Sequence, residues 1–202
     1  STVGERVTRG EAAVYLYEIL THPFAVEAPK SPVVCENRSD TNLNDYLMEL
    51  RYLPDTVLNA FNEHGWKLVI DHAYTAKMGK LYNVSCTGVT SYQERTIYVS
   101  EAGAVLHEFG HFIEGELLSF PARSQELFNA EAKDAPFRSY AKTSSSEYFA
   151  DYFAYLLTHS DGSKSMQLLK KSTPKTYEYF HSLTINGEPL LGGSHAEEVK
   201  NY

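Results

Sequence analysis

Val105-Leu106-His107-Glu108-Phe109-Gly110-His111-Phe112-Ile113 is the segment whose residue types and spacing could do chemistry. Two histidines four apart lie one turn apart on a single helix face, so both imidazoles can reach one ion. Glu108 projects beside that pair, where it could take a proton from a water activated by the ion. Zinc suits the arrangement because it accepts imidazole nitrogen, forms tetrahedral sites and does no redox chemistry. It brings the pKa of a bound water to about 7 and polarises a carbonyl, and a neighbouring glutamate then serves as general base. Val105, Leu106, Phe109, Phe112 and Ile113 supply the apolar face that anchors such a helix. The pattern predicts a hydrolytic zinc site with His107 and His111 as ligands and Glu108 as base.

A catalytic zinc takes three protein ligands and keeps one position for water. A third histidine six residues after His111 is excluded, because Leu117 stands there. The remaining choices are Glu114, Glu126, Glu131 and Glu147. Glu114 lies on the same helix and reads as a solvated charge. Glu126 and Glu131 lie on a polar helix where surface pairing is the default, although Glu131 stands at a separation from His111 like that in thermolysin-like enzymes. Glu147 opens Glu147-Tyr148-Phe149-Ala150-Asp151-Tyr152-Phe153-Ala154-Tyr155-Leu156-Leu157, an apolar helix that must be buried. Two acids one turn apart on such a helix require a cation or donors. Glu147 is the expected third ligand, and Asp151 is expected to hold a ligand imidazole through a hydrogen bond. Ser144-Ser145-Ser146 before it could cap the helix, which would make Glu147 a partner of the helix dipole instead.

The elements that must position these residues are partly readable. Thr8-Arg9-Gly10-Glu11 resembles a capping box, and Ala13, Val14, Leu16, Tyr17 and Leu20 follow at helical spacing. Pro23, Pro29 and Pro32 predict an extended connector. A helix is expected from about Leu43 to Leu53, and another after Pro54, closed by Gly65. Trp66–Asp71 and Thr96–Val99 read as strands. Helices are expected over 102–118, 123–133, 145–159 and 174–183. Helices before and after a small sheet indicate an α+β fold, and the helix carrying His107, Glu108 and His111, packed on that sheet, makes a zincin-like architecture the expectation. One catalytic domain is expected over 1–185, with residues 1–42 as N-terminal helix and connector and 186–202 as a loose tail.

The 202 residues carry a formal net charge of −8 and no Lys/Arg cluster, which argues against nucleic acid as a partner. No stretch approaches the roughly 18 uncharged apolar residues of a membrane span, and no signal peptide is visible at the start. The two cysteines, Cys35 and Cys86, cannot make a thiolate zinc site, and their pairing is open.

The two motifs together resemble the lethal factor and Pro-Pro endopeptidase group of zinc metallopeptidases. That group joins an HExxH helix to a later Glu-(Phe/Tyr)-Phe-Ala-(Glu/Asp)-x-Phe helix, as in Glu147-Tyr-Phe-Ala-Asp-Tyr-Phe153 here. It also carries a tyrosine seven residues before the liganding glutamate, and Tyr140 stands there. The resemblance covers roughly 43–183 and implies that Tyr140 donates its phenol to the oxyanion at the scissile carbonyl. Thr87–Ser100 lacks the Gly-Gly-Ser-Thr-type run of Pro-Pro endopeptidases, so the resemblance implies hydrolysis without implying cleavage between prolines. An extended peptide substrate is expected to pair with an edge strand at Thr96–Val99. Glu5–Leu20 is similar to part of an S-layer homology repeat, a bacterial cell-wall module, which implies a secreted or cell-surface protein with cell-wall association. The competing reading is a metal-retaining binding or regulatory module without turnover, and retention of Glu108 argues against it.

Overall fold

The computed structural model describes residues 33–192 and the backbone of 13–17. Strands β1 (Ala13–Tyr17), β2 (Val33–Asn37), β3 (Lys67–Ile70), β4 (Gly88–Ser91) and β5 (Thr96–Val99) form one sheet in the order β1-β2-β3-β5-β4. The β2–β3 and β3–β5 pairs are parallel, while β1 and β4 run antiparallel to their neighbours. The helices are α1 (Leu43–Leu50), α2 (Asp55–Glu63), α3 (His72–Tyr82), α4 (Val105–Phe112), α5 (Ala122–Glu131), α6 (Ser145–Thr158), α7 (Lys164–Ser172) and α8 (Pro174–Ser182). The α+β expectation holds.

Local chemistry explains several element ends. Asn42 caps α1 by accepting from the Asn44 N–H, and Asp71 caps α3 by accepting from the Tyr74 N–H. Gly65, at φ +70°, turns the chain from α2 into β3 in a conformation that side chains resist. The apolar face of α4 then seats on α2 and β3 through aromatic rings. Phe61 lies 4.6 Å from Phe109, and Trp66 meets Phe112 edge-on at 5.0 Å. Such pairs add about 0.5–1.5 kcal/mol each beyond area burial.

Four expectations need correction. The helix expected through Ala13 and Tyr17 is a strand there, because Ala13–Tyr17 pairs with Asn37–Val33 across an antiparallel ladder. Its apolar run suits a strand as well as a helix, and the partner strand decides. The rest of that segment, with the S-layer-like residues and the proline connector, lies outside the described residues apart from Ala13–Tyr17. Second, β5 is an interior strand between β3 and β4, so the edge beside α4 is β4, Gly88–Ser91. Third, α3, α7 and β2 were not expected at all. Fourth, the tail expected from Asn186 begins as ordered structure. Strands β6 (Thr184–Ile185) and β7 (Glu188–Pro189) pair as a hairpin, and Leu190 is fully buried.

Both cysteines are free thiols. Burial, with the Glu36 charge beside it, pushes the Cys35 thiol up to about 12.

Candidate metal centre

The centre is made where α4 crosses α6, and glycine sets their separation. A Cβ on Gly110 would stand 2.6 Å from the Ala150 Cα, so only glycine lets the two backbones come this close. Gly110→Ala is therefore expected to lower the melting temperature and to weaken metal binding, read by thermal melts with and without zinc. Alanine recovers about 1 kcal/mol of helix propensity. Overpacking against a backbone atom costs about 1–3 kcal/mol, and the clash wins because no side chain can swing aside.

His107 and His111 project from α4 with their Nε2 atoms 3.1 Å apart. From α6, Glu147 brings Oε2 to 3.0 Å from His107 Nε2 and Oε1 to 3.6 Å from His111 Nε2. One ligand atom from each of these three residues lies within 4.8 Å of the others. Glu126 and Glu131, the other downstream candidates, do not join them. Glu126 pairs with Arg123 on the surface. Glu131 is buried elsewhere, accepting from the Lys175 and Thr176 N–H groups and the Thr176 hydroxyl at the start of α8. Surface pairing was the wrong expectation for Glu131, since its carboxylate closes a helix N-terminus.

The donor set fits a cation. The His107 Nδ1 meets Asp151 Oδ1 at 2.6 Å, and an ionised carboxylate can only accept, so Nδ1 carries a proton and Nε2 is the nitrogen turned toward Glu147 and His111. The His111 Nδ1 meets the Ser146 Oγ at 3.1 Å. Glu147 Oε2 is buried and makes no hydrogen bond, although it sits close to His107. The Nε2 atoms of two imidazoles and a carboxylate thus converge, an arrangement that calls for positive charge among them, whether a proton or a metal ion.

Titration behaviour agrees. Burial alone would lower the His107 pKa, but the neighbouring Asp151 and Glu147 carboxylates outweigh it and raise it to about 9. Burial would raise Glu147, and the two imidazoles instead hold it far below the usual carboxylate range. Asp151 is also lowered, against burial, by His107 and Arg138.

Glu108 lies on the flank of the histidine pair and is 5% exposed. Burial raises its pKa, partly offset by the imidazoles and by Thr90. The Thr90 hydroxyl on β4 donates to Glu108 Oε2 at 2.7 Å. A Cβ on Gly88 would collide with the same carboxyl group, so β4 both seats and restrains Glu108. Tyr140 donates to Glu147 Oε1 at 3.2 Å from a partly exposed position. Its pKa is pushed up to about 12 by burial and the Glu147 charge, which keeps the phenol protonated.

Every sequence-expected site residue, namely His107, Glu108, His111, Tyr140, Glu147 and Asp151, therefore lies in one cluster. Arg138, Thr90 and Ser146 are additions. Arg138 makes a two-point contact with Asp151, with Nε and one terminal nitrogen each 2.8 Å from the carboxylate. The serine run divides its work: Ser144 caps α6 by accepting from the Glu147 N–H, and Ser146 turns toward His111.

Comparison with known protein families matches residues 39–183 to the family described as anthrax toxin lethal factor, N- and C-terminal domain. The chain belongs to the anthrax toxin lethal factor family. No individually curated protein matches it. The matched span begins just before α1 and closes after α8, so the lethal factor-like region contains the whole cluster.

Proposed function

We propose that this lethal factor-like chain is a zinc-dependent endopeptidase that hydrolyses an extended peptide. The observation that carries the reading is the convergence of His107, His111 and Glu147 with the buried Glu108 at their side. These three residues would hold the zinc, whose chemistry is to acidify a water and polarise the scissile carbonyl.

The chain's own residues do the rest. Glu108 takes the proton of the attacking water and passes it to the leaving amine, and its burial makes it a stronger base than a solvated carboxylate. Asp151, backed by Arg138, fixes the ring orientation and tautomer of His107. The open edge of β4 offers backbone groups to an extended peptide, and Thr90 on that strand touches the base. The protonated Tyr140 phenol is the donor for the developing oxyanion. Tyr140→Phe is accordingly expected to slow turnover by about 100–1000-fold while zinc affinity stays near wild type, as measured by peptide hydrolysis beside a zinc titration.

Among the described residues no helix is long and apolar enough to cross a membrane. A secreted or surface-associated protein acting on peptide or protein substrate is the setting we propose. Incubation of the zinc-loaded chain with a peptide library tests the function. Cleavage at defined positions, abolished by a chelator and restored by zinc, is expected. Zinc-loaded protein that cleaves nothing in a diverse library would support the reading as a binding module.

A further inference from the structure

The two histidines are not oriented alike, and the difference exposes a residue with a job of its own. His107 leans on a carboxylate directly. His111 leans on a hydroxyl, and that hydroxyl leans on a carboxylate. The Ser146 Oγ lies 3.1 Å from His111 Nδ1 and donates its own proton to Glu114 Oε2 at 2.6 Å. Having given its proton to Glu114, the serine oxygen can only accept from the imidazole, so Nδ1 carries the hydrogen and Nε2 is left free.

Glu114 reads from sequence as a solvated charge, but it is 2% exposed. It lies on the single π-helical turn Ile113–Leu117 that directly continues α4, three residues past His111. π turns are uncommon and gather at functional sites. Beyond the turn, Ser119 and Phe120 both take positive φ, and the Phe120 N–H bonds to the Glu114 carbonyl. The chain is thus folded back at the point where Glu114 is buried. Tyr92 binds the same corner by donating to the His111 carbonyl at 2.8 Å. A buried carboxylate is costly unless its oxygens are used, and this one accepts from Ser146.

The geometry points to Glu114 and Ser146 as a two-residue relay that positions His111 for zinc, with Glu114 acting only through Ser146. The inference rests on the zinc reading above. Residues that orient a ligand imidazole typically affect metal affinity about 10–100-fold. A charged acceptor makes its hydrogen bond roughly twice as strong as a neutral one, so Glu114 polarises the serine toward the ring.

Zinc dissociation constants by chelator competition test it on the whole chain, with melting of the metal-free protein recorded in parallel. Ser146→Ala is expected to weaken zinc binding about 10–100-fold, and Ser146→Thr, which keeps the hydroxyl, to recover most of it. Glu114→Gln is expected to weaken zinc by about 3–10-fold, since it keeps an acceptor and loses the charge; it is read independently should Ser146→Ala not fold. In the double variant, the loss should equal that of Ser146→Ala alone, because a residue acting through Ser146 has nothing left to act on. Losses that simply add would overturn the relay, as would zinc affinity unchanged in both single variants, or variants that only lower the melting temperature. If wild-type protein takes up no zinc, the metal reading itself fails and the relay goes with it, a result distinct from wild-type binding with silent variants.

Discussion

Glu108→Ala and Glu108→Gln are expected to bind zinc nearly as wild type does while losing hydrolysis by about 100–10,000-fold, the usual scale of a positioned acid–base group. Glu108 does not belong to the converging set of His107, His111 and Glu147, so its removal leaves those atoms in place. What it removes is a carboxylate in a nearly dry position, 5% exposed and steadied by the Thr90 hydroxyl. The glutamine form is the cleaner probe, because it keeps the shape and an oxygen for Thr90 without offering a base. Steady-state hydrolysis and zinc titration on one preparation separate the two effects. Activity within a fewfold of wild type would remove Glu108 from the mechanism.

The second large effect separates Glu147 from Glu131, the runner-up third ligand by sequence. Glu147→Gln is expected to cost more zinc affinity than the roughly 10–100-fold typical of losing an orienting partner, because it removes the charged ligand itself. Glu131→Gln is expected to leave zinc binding unchanged and instead to lower stability by about 1–2 kcal/mol. Its carboxylate accepts from two N–H groups and a hydroxyl at the start of α8, and an amide nitrogen cannot. Zinc titration and thermal melting should therefore move in opposite variants. Loss of metal in Glu131→Gln with retention in Glu147→Gln would exchange their roles.

The parts of this protein that could be read from sequence are those whose signal is local. The HExxH spacing and the apolar run around Glu147 each demand a helix and a burial state, and Leu68-Val69-Ile70 and Ile97-Tyr98-Val99 demand strands. The parts that could not be read depend on partners. Ala13–Tyr17 is a strand because Val33–Asn37 lies beside it, and β4 carries Gly88 where Glu108 occupies the space a side chain would fill. Helix α3 is held by the Asp71 cap and weak apolar periodicity, which leaves little pattern to detect.

The same division runs through the site. His107, His111, Glu147 and Asp151 announce themselves by spacing on two helices. Thr90, Ser146, Arg138 and Glu114 do not, since each gains its role only when β4, the π turn and the segment before Tyr140 are folded against those helices. A buried glutamate three residues after His111 looks like any surface charge until its burial is known.

The central claim is that one zinc ion is held by His107, His111 and Glu147. Anomalous diffraction at the zinc edge from crystals of the zinc-loaded chain tests it most directly. The account predicts a single strong peak about 2.0–2.2 Å from the His107 Nε2, the His111 Nε2 and a Glu147 oxygen. A loaded crystal with no peak there, or with its zinc held by other residues, would contradict it.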